Sequence, residues 1–210
     1  MVGQGALREC LLDPEVTEVL AIGRNPTSQQ HPKLRQLTLP DIGNLSGHEA
    51  ELSGFDACLF CAGISSVGMS EEEYTRITHD LTLSFARTLV QLNPAMTFVF
   101  ISGMGSDSTE KGRTMWARVK GRTENELQRL GFKSVYVFRP GFIQPLHGIR
   151  SKTRLYQFIY DLTAPLMPLL KNRFTGYINT TDQLGQAMIR VARDGYTKTI
   201  LEPADINRIK

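Results

Sequence analysis

The chain is predicted to form one three-layer α/β domain around a doubly wound parallel sheet. Three observations predict it. Short apolar runs alternate with helix-length amphipathic segments from one end to the other. At 210 residues there is enough chain for one core and too little for two. No linker, internal repeat or low-complexity segment divides it. Strands separated by helices pair in parallel through right-handed crossovers, and such sheets bind ligands beyond the carboxyl ends of their strands.

The opening MVGQGALREC reads as the start of a helix, with Ala6, Leu7, Cys10 and Leu11 at helical spacing behind Gly3 and Gly5. A glycine turn feeding a helix is a way of holding phosphate, yet no strand leads into this one. EVLAIG (18–23) and RQLTL (35–39) are short strands. DACLFCAG (56–63) is apolar almost throughout, as strands covered on both faces are. From Glu71 to Leu92 a long helix carries Tyr74, Ile77, Leu81, Phe85 and Leu89 on one side, and Asn93-Pro94 ends it. MTFVFIS (96–102) is a strand, Arg113 to Leu130 a helix stopped by Gly131, and SVYVF (134–138) a strand closed by RPG. Residues 142–180 are broken by prolines and are expected to form a small helical cap on the substrate side. A helix capped by Thr180 or Thr181 follows, with Leu184, Ala187, Met188, Val191 and Ala192 on one face. TILE (199–202) reads as the last strand.

Composition excludes several classes. A hydrophobic fraction of 41% with 21% charged residues is that of a soluble globular protein, and a net charge of +3 is too small to argue for nucleic acid. Cys58 and Cys61, three apart on a strand, face opposite sides. They are expected to be buried structural thiols rather than a disulfide or a metal pair, and no metal site is expected. The odd cysteine count and the lack of a secretory signal fit a reducing, cytoplasmic setting. FIYDLTAPLMPLL (158–170) is interrupted by Asp161, Pro165 and Pro168 and falls short of the roughly 20 apolar residues a membrane span needs. Two short capping helices are expected there, with a partly interfacial segment as the alternative.

The ends of the strands form a series. After the first comes Arg24, where a carboxylate would hold the ribose hydroxyls of NAD and an arginine suits the extra phosphate of NADP; the alternative is an ordinary surface arginine. Asp41, after the second, either reaches an adenine edge or caps a turn. Ala62-Gly63 lets a ligand approach the backbone. Ser102-Gly103 and Arg139-Pro140-Gly141 end the next two strands.

AIGRNP, FDACLFCAG, FVFISGMGSDS, WARVKGRTE and VFRPG, in that order and spacing, resemble the short-chain dehydrogenase/reductase superfamily. The resemblance is to its atypical and extended branch, with epimerase-like members and the Tat-interacting-protein reductases, and it covers essentially the whole chain. It implies a Rossmann-like domain binding NADP, or alternatively NAD, a small-molecule substrate, and a homodimer through the two long helices. In the family a strand runs into T-G-x-x-G-x-x-G and then a helix. MVGQG matches only from beyond the second glycine, so Gly3 corresponds to the third. The absent strand belongs at the middle of the sheet. Its loss would strand interior amides at roughly 1–3 kcal/mol each, against a net stability of about 5–15 kcal/mol. Met1 is therefore expected to be a misassigned start or a truncation, with an apolar strand ending in G-x-x-G encoded upstream. Alternatively, another segment or a neighbouring chain fills the slot.

The resemblance also implies the site. The family's catalytic Tyr-x-x-x-Lys survives as Trp116-x-x-x-Lys120, on one helix face. An indole does not ionise near neutral pH and cannot replace the phenol. Lys120 would still grip the nicotinamide ribose and Ser102 a substrate oxygen. Gly3, Arg24, Asp41, Ala62, Gly63, Pro140 and Gly141 would line the cofactor. His147 is a candidate substitute acid, with Ser106 and Asp107 as further candidates. Three functions stay open: an NADP-dependent or epimerase-like oxidoreductase acting on a small carbonyl or alcohol; a dinucleotide-binding regulator or scaffold without turnover, which Trp116 favours; and a chain that binds no dinucleotide because half the phosphate turn is gone.

Overall fold

The alternation of strands and helices is what the computed structural model shows over the residues it describes, 1–149 and 176–209. The order is α1 (Val2–Leu12), β1 (Val19–Gly23), β2 (Leu34–Thr38), α2 (Glu49–Leu52), β3 (Ala57–Phe60), α3 (Glu71–Thr75) and a π-helical turn (Arg76–Asp80). Then come α4 (Leu81–Leu92), β4 (Thr97–Ile101), α5 (Met115–Leu127), β5 (Ser134–Phe138), β6 (Phe142–Gln144), β7 (Ile178–Thr180), α6 (Thr181–Asp194), β8 (Ile200–Leu201) and α7 (Pro203–Ile206).

Local chemistry sets these boundaries. Ser70 and Glu73 form a capping box at the start of α3, and Thr180 and Gln183 form another at α6. The long helix expected over 71–92 contains the π turn, where His79 lies 2.9 Å from Glu126 and 2.7 Å from Asp80. At its end Asn93 is buried, with Nδ2 donating to the Leu52 carbonyl and Oδ1 accepting from Gly54 N–H.

The strands pair in parallel in the order β3-β4-β5-β8, and β1-β2 pair in parallel as a separate piece. Doubly wound order places a first strand between the elements that here are β1 and β3. The sheet is broken at that place. Alternate residues of β4 feed two cores. Phe98 and Phe100 join Phe60, Leu83 and Phe85 on one side, whereas Val99 joins Tyr136, Phe138, Leu184 and Met188 on the other.

Helix α1 packs against α6 through a glycine on each, Gly5 and Gly185. A Cβ on Gly5 would lie 2.8 Å from Thr181 Cβ, and one on Gly185 only 2.7 Å from Glu9 Cγ. Gly5, inside α1 rather than in an opening turn, therefore serves a close helix crossing.

Two expectations change. Cys58 and Cys61 face opposite cores as expected, but each is half-buried rather than buried, because β3, which carries Cys58 and ends just before Cys61, borders the break in the sheet. Of the cap expected over 142–180, the described ends are the strands β6 and β7, paired in parallel. The rest, including the apolar stretch 158–170, lies outside the described residues. Among the described residues no helix is long and apolar enough to cross a membrane.

Candidate functional site

Helix α5 presents Trp116, Lys120 and Glu124 four residues apart, so all three fall along one face. That face meets the carboxyl ends of β4 and β5. The Lys120 ammonium donates to the Ile101 carbonyl at 3.4 Å and sits 5.3 Å from the centre of the Phe100 ring. Burial pushes it down to about 8, against the opposing pull of Glu124. Trp116 lies over the loop after β4: its ring is 4.0 Å from where a Cβ would stand on Gly103, and 3.5 Å from the same position on Gly105.

Glu124 is fully buried. Arg139 Nε donates to both carboxylate oxygens at 3.2 Å, and a second guanidinium nitrogen donates to Oε2. Arg139 also reaches Ser108 Oγ at 2.6 Å and Glu202 at 3.3 Å. Burial works against its charge, but the bonds to Glu124 and Glu202 hold it above the ordinary arginine value. Ser102 donates its hydroxyl proton to Glu124. Ser106 Oγ lies 2.9 Å from Ser102 Oγ and donates to the Gly103 carbonyl at 2.8 Å. The hydroxyl expected to serve a substrate oxygen thus has its proton turned inward, toward a buried ion pair.

The other anticipated residues fall as follows. Arg24 is exposed just beyond β1 and makes no hydrogen bond or ion pair among the described residues. Asp41 caps a turn, its Oδ1 accepting from Gly43 N–H at 2.8 Å, so the turn alternative describes it. Ala62 and Gly63 are exposed beyond β3, and a Cβ on Gly63 would meet nothing within 4 Å. Gly3 sits in the first turn of α1, with a Cβ there 3.3 Å from Cys61 Cβ. Pro140 accepts from Met104 N–H at 3.0 Å. A Cβ on Gly141 would come within 2.3 Å of the Tyr177 carbonyl oxygen, so Gly141 is needed for the approach of the chain entering β7. His147 Nε2 is 2.6 Å from Asp182 at the start of α6, and among the described residues no bond joins it to Ser102, Trp116 or Lys120. Asp107 organises its own loop: its carboxylate accepts from Thr109 and Gly112, and these bonds hold it below the usual carboxylate range.

Sequence reasoning missed Glu124 and the task of Arg139 beside it. The signal was present, since Glu124 extends the Trp116–Lys120 spacing by one more turn.

The lowered Lys120 predicts a pH effect. The folded state holds fewer protons than the unfolded state between about 8 and the ordinary 10.5. Stability should therefore rise with pH across that window as the buried charge is shed. Urea midpoints for Lys120→Met should lack the rise; parallel curves for the two proteins would refute it.

No protein-family profile matches the chain. It is 24% identical over 198 residues to the mitochondrial protein fmp52 of Emericella nidulans, covering 90% of this chain and 82% of the relative. It is also 24% identical over 143 residues to protein HTATIP2 of Rattus norvegicus, covering 67% and 58%. An oxidoreductase of the short-chain dehydrogenase/reductase family from Burkholderia thailandensis superposes with a TM-score of 0.66 at 12% identity, covering 98% of this chain and 88% of that one. A protein of Agrobacterium tumefaciens solved with bound NADP superposes at 0.64 and 16% identity, covering 99% and 92%. The Bordetella bronchiseptica enzyme WbmF in complex with NAD+ superposes at 0.61 and 13% identity, covering 98% and 73%.

These relatives correct one expectation. The cytoplasmic assignment conflicts with fmp52 relatives that are named as mitochondrial. Free thiols report the absence of disulfides, not which compartment keeps them reduced. The chain carries the parallel α/β fold of the short-chain dehydrogenases and reductases, and its sequence relatives include the fmp52 and HTATIP2 proteins.

Proposed function

We propose that the chain binds a nicotinamide dinucleotide, NADP in preference to NAD, across the carboxyl ends of its strands and acts as an oxidoreductase on a small carbonyl or alcohol. The observation that carries this reading is Lys120, held at the end of β4 on the α5 face that also presents Trp116. The residues present fit the group at several points. Arg24 is exposed beyond β1, with no partner among the described residues to compete with a phosphate. Gly63 leaves open space beside its backbone. The first turn of α1 has no side-chain cap, which suits an anion at a helix start.

When bound, the dinucleotide supplies or accepts the hydride. Arg24 would hold the added phosphate and Lys120 the nicotinamide ribose. Gly3, Ala62, Gly63, Pro140 and Gly141 would border the cofactor. With Trp116 unable to ionise, the Lys120 ammonium is the group on this face that can give up a proton near neutral pH. Ser102, its own proton directed at Glu124, would meet a substrate hydroxyl as an acceptor.

A second reading, binding without turnover, is favoured by the same Ser102–Glu124 bond together with Trp116. Calorimetry with NADPH and NADH on the 210-residue chain tests the shared claim, and NADPH oxidation with a panel of aldehydes and ketones separates the two readings. Arg24→Ser should weaken NADPH binding about tenfold to a hundredfold, as loss of one charged hydrogen bond does, and should leave NADH binding within about twofold. Equal losses for both cofactors would remove Arg24 from the phosphate, and no heat with either cofactor would end the proposal.

A further inference from the structure

We propose that Lys120 is a nucleophile that captures apolar aldehydes as an imine, a reaction separate from hydride transfer. The first argument is the setting of its side-chain nitrogen. Lys120 is half-buried on α5, with Nζ 5.3 Å from the centre of the Phe100 ring. It donates to the Ile101 carbonyl at 3.4 Å, and among the described residues it joins no ion pair. The acid on the same face, Glu124, stands one turn along but is already committed. Arg139 donates to both of its oxygens, and Ser102 directs a hydroxyl proton to it. A guanidinium fork matches a carboxylate better than an ammonium does, so Arg139 holds the glutamate and Lys120 is left without it. An amine in low-polarity surroundings, with no bonded carboxylate to hold its charge, releases its proton more readily. Burial accordingly pushes Lys120 down to about 8, although Glu124 still pulls the other way. A lysine in this state offers a free lone pair near neutral pH, which carbonyl chemistry at an amine requires.

The surroundings say which carbonyl fits. The Phe100 ring lies beside the amine, and Trp116 stands one turn away on the same helix face. The indole covers Gly103 and Gly105, and Met104 between them is 43% exposed. Ring faces and a thioether offer apolar contact and no charge, so they favour an apolar tail over a hydroxylated one. An aldehyde, with hydrogen on one side of its carbonyl, is the form that a half-buried amine reaches with least crowding. The step balances without a cofactor. The Nζ lone pair bonds to the aldehyde carbon, and the carbonyl π pair moves to oxygen, which takes a proton from the nitrogen. Loss of that hydroxyl with the second amine proton, as water, leaves the C=N bond, and nothing is oxidised or reduced. The reaction shares the site of the proposed oxidoreductase but needs no dinucleotide.

The test is reductive trapping on the whole 210-residue chain. The protein is incubated with hexanal and cyanoborohydride near neutral pH, and the alkylated lysines are mapped by peptide mass spectrometry. Lys120 should be modified about tenfold or more faster than the exposed Lys111 and Lys133, because the free amine is the attacking form. Glycolaldehyde, small and polar, should show a weaker preference for Lys120. Unfolding the chain in urea should erase the preference, since the fold creates it. Saturating NADP+ separates the capture from the dinucleotide reading. If the cofactor holds the same ammonium, the Lys120 adduct should be lost; an adduct that persists beside bound NADP+ keeps the capture and takes Lys120 off the ribose. Three results would overturn the proposal. Lys120 could react no faster than Lys111 and Lys133, which ends the capture whether or not calorimetry shows cofactor binding. The preference could survive in urea, which assigns it to local sequence rather than to the site. Glycolaldehyde could match hexanal, which removes the apolar class.

Discussion

Arg139→Met should remove roughly 3–5 kcal/mol of folding stability, the penalty for leaving one member of a buried ion pair without the other. Glu124 has no exposed surface, and Arg139 is its charged partner, bonding both carboxylate oxygens from Nε. Without the guanidinium, the hydroxyl of Ser102 would be left as the carboxylate's donor. Against a net stability of about 5–15 kcal/mol such a loss is large. Most of it should return in the double variant Glu124→Leu with Arg139→Met, because replacing a buried pair by apolar residues of similar size is close to neutral. Urea denaturation of the three proteins measures both effects, and a deficit under about 1 kcal/mol for Arg139→Met would show that Glu124 relaxes to solvent at little cost.

Why that pair escaped sequence reasoning has a physical answer. A glutamate at Glu124, between Thr123 and Asn125 in a helix of low mean hydropathy, reads as a solvent-facing residue. Its burial depends on a partner fifteen positions away, at the end of a strand. The strands themselves were legible because β3, β4 and β5 are apolar runs, as a parallel sheet covered on both faces requires. The three-residue strands β6 and β7 were not, since their pairing joins residues 36 positions apart in the register Phe142 with Ile178 and no run that short carries a period. Lys120 and Trp116 could be located by their spacing alone, whereas the inward turn of the Ser102 proton depended on Glu124 and was invisible without it. The loop preferences of Asp41 and Asp107 were ambiguous in sequence because the same carboxylate can serve a ligand or its own turn. In both cases it bonds to the backbone two residues on.

Trp116→Tyr should raise NADPH oxidation in the presence of aldehydes and ketones by about a hundredfold or more, since a positioned general acid is worth roughly 10²–10⁴ in rate. The new phenol would stand one helical turn from Lys120, on the face that meets Ile101 and the loop carrying Gly103 and Gly105. An ammonium at that spacing favours the phenolate and so brings the phenol's proton nearer to neutral pH. Three comparisons tie the gain to that chemistry. Trp116→Phe removes the indole without adding a proton and should leave the rate at the wild-type level. Lys120→Met in the Trp116→Tyr background should cancel most of the gain by removing both the charge and the grip on the ribose. Binding of NADPH by Trp116→Tyr alone should stay within a few-fold of wild type, because the indole packs on the loop after β4 rather than on any group assigned to the cofactor. If turnover does not rise while NADPH still binds, the missing phenol is not what limits the protein. The limit would then lie with Ser102, whose proton is already given to Glu124, and the binding-only reading would stand on that residue rather than on Trp116.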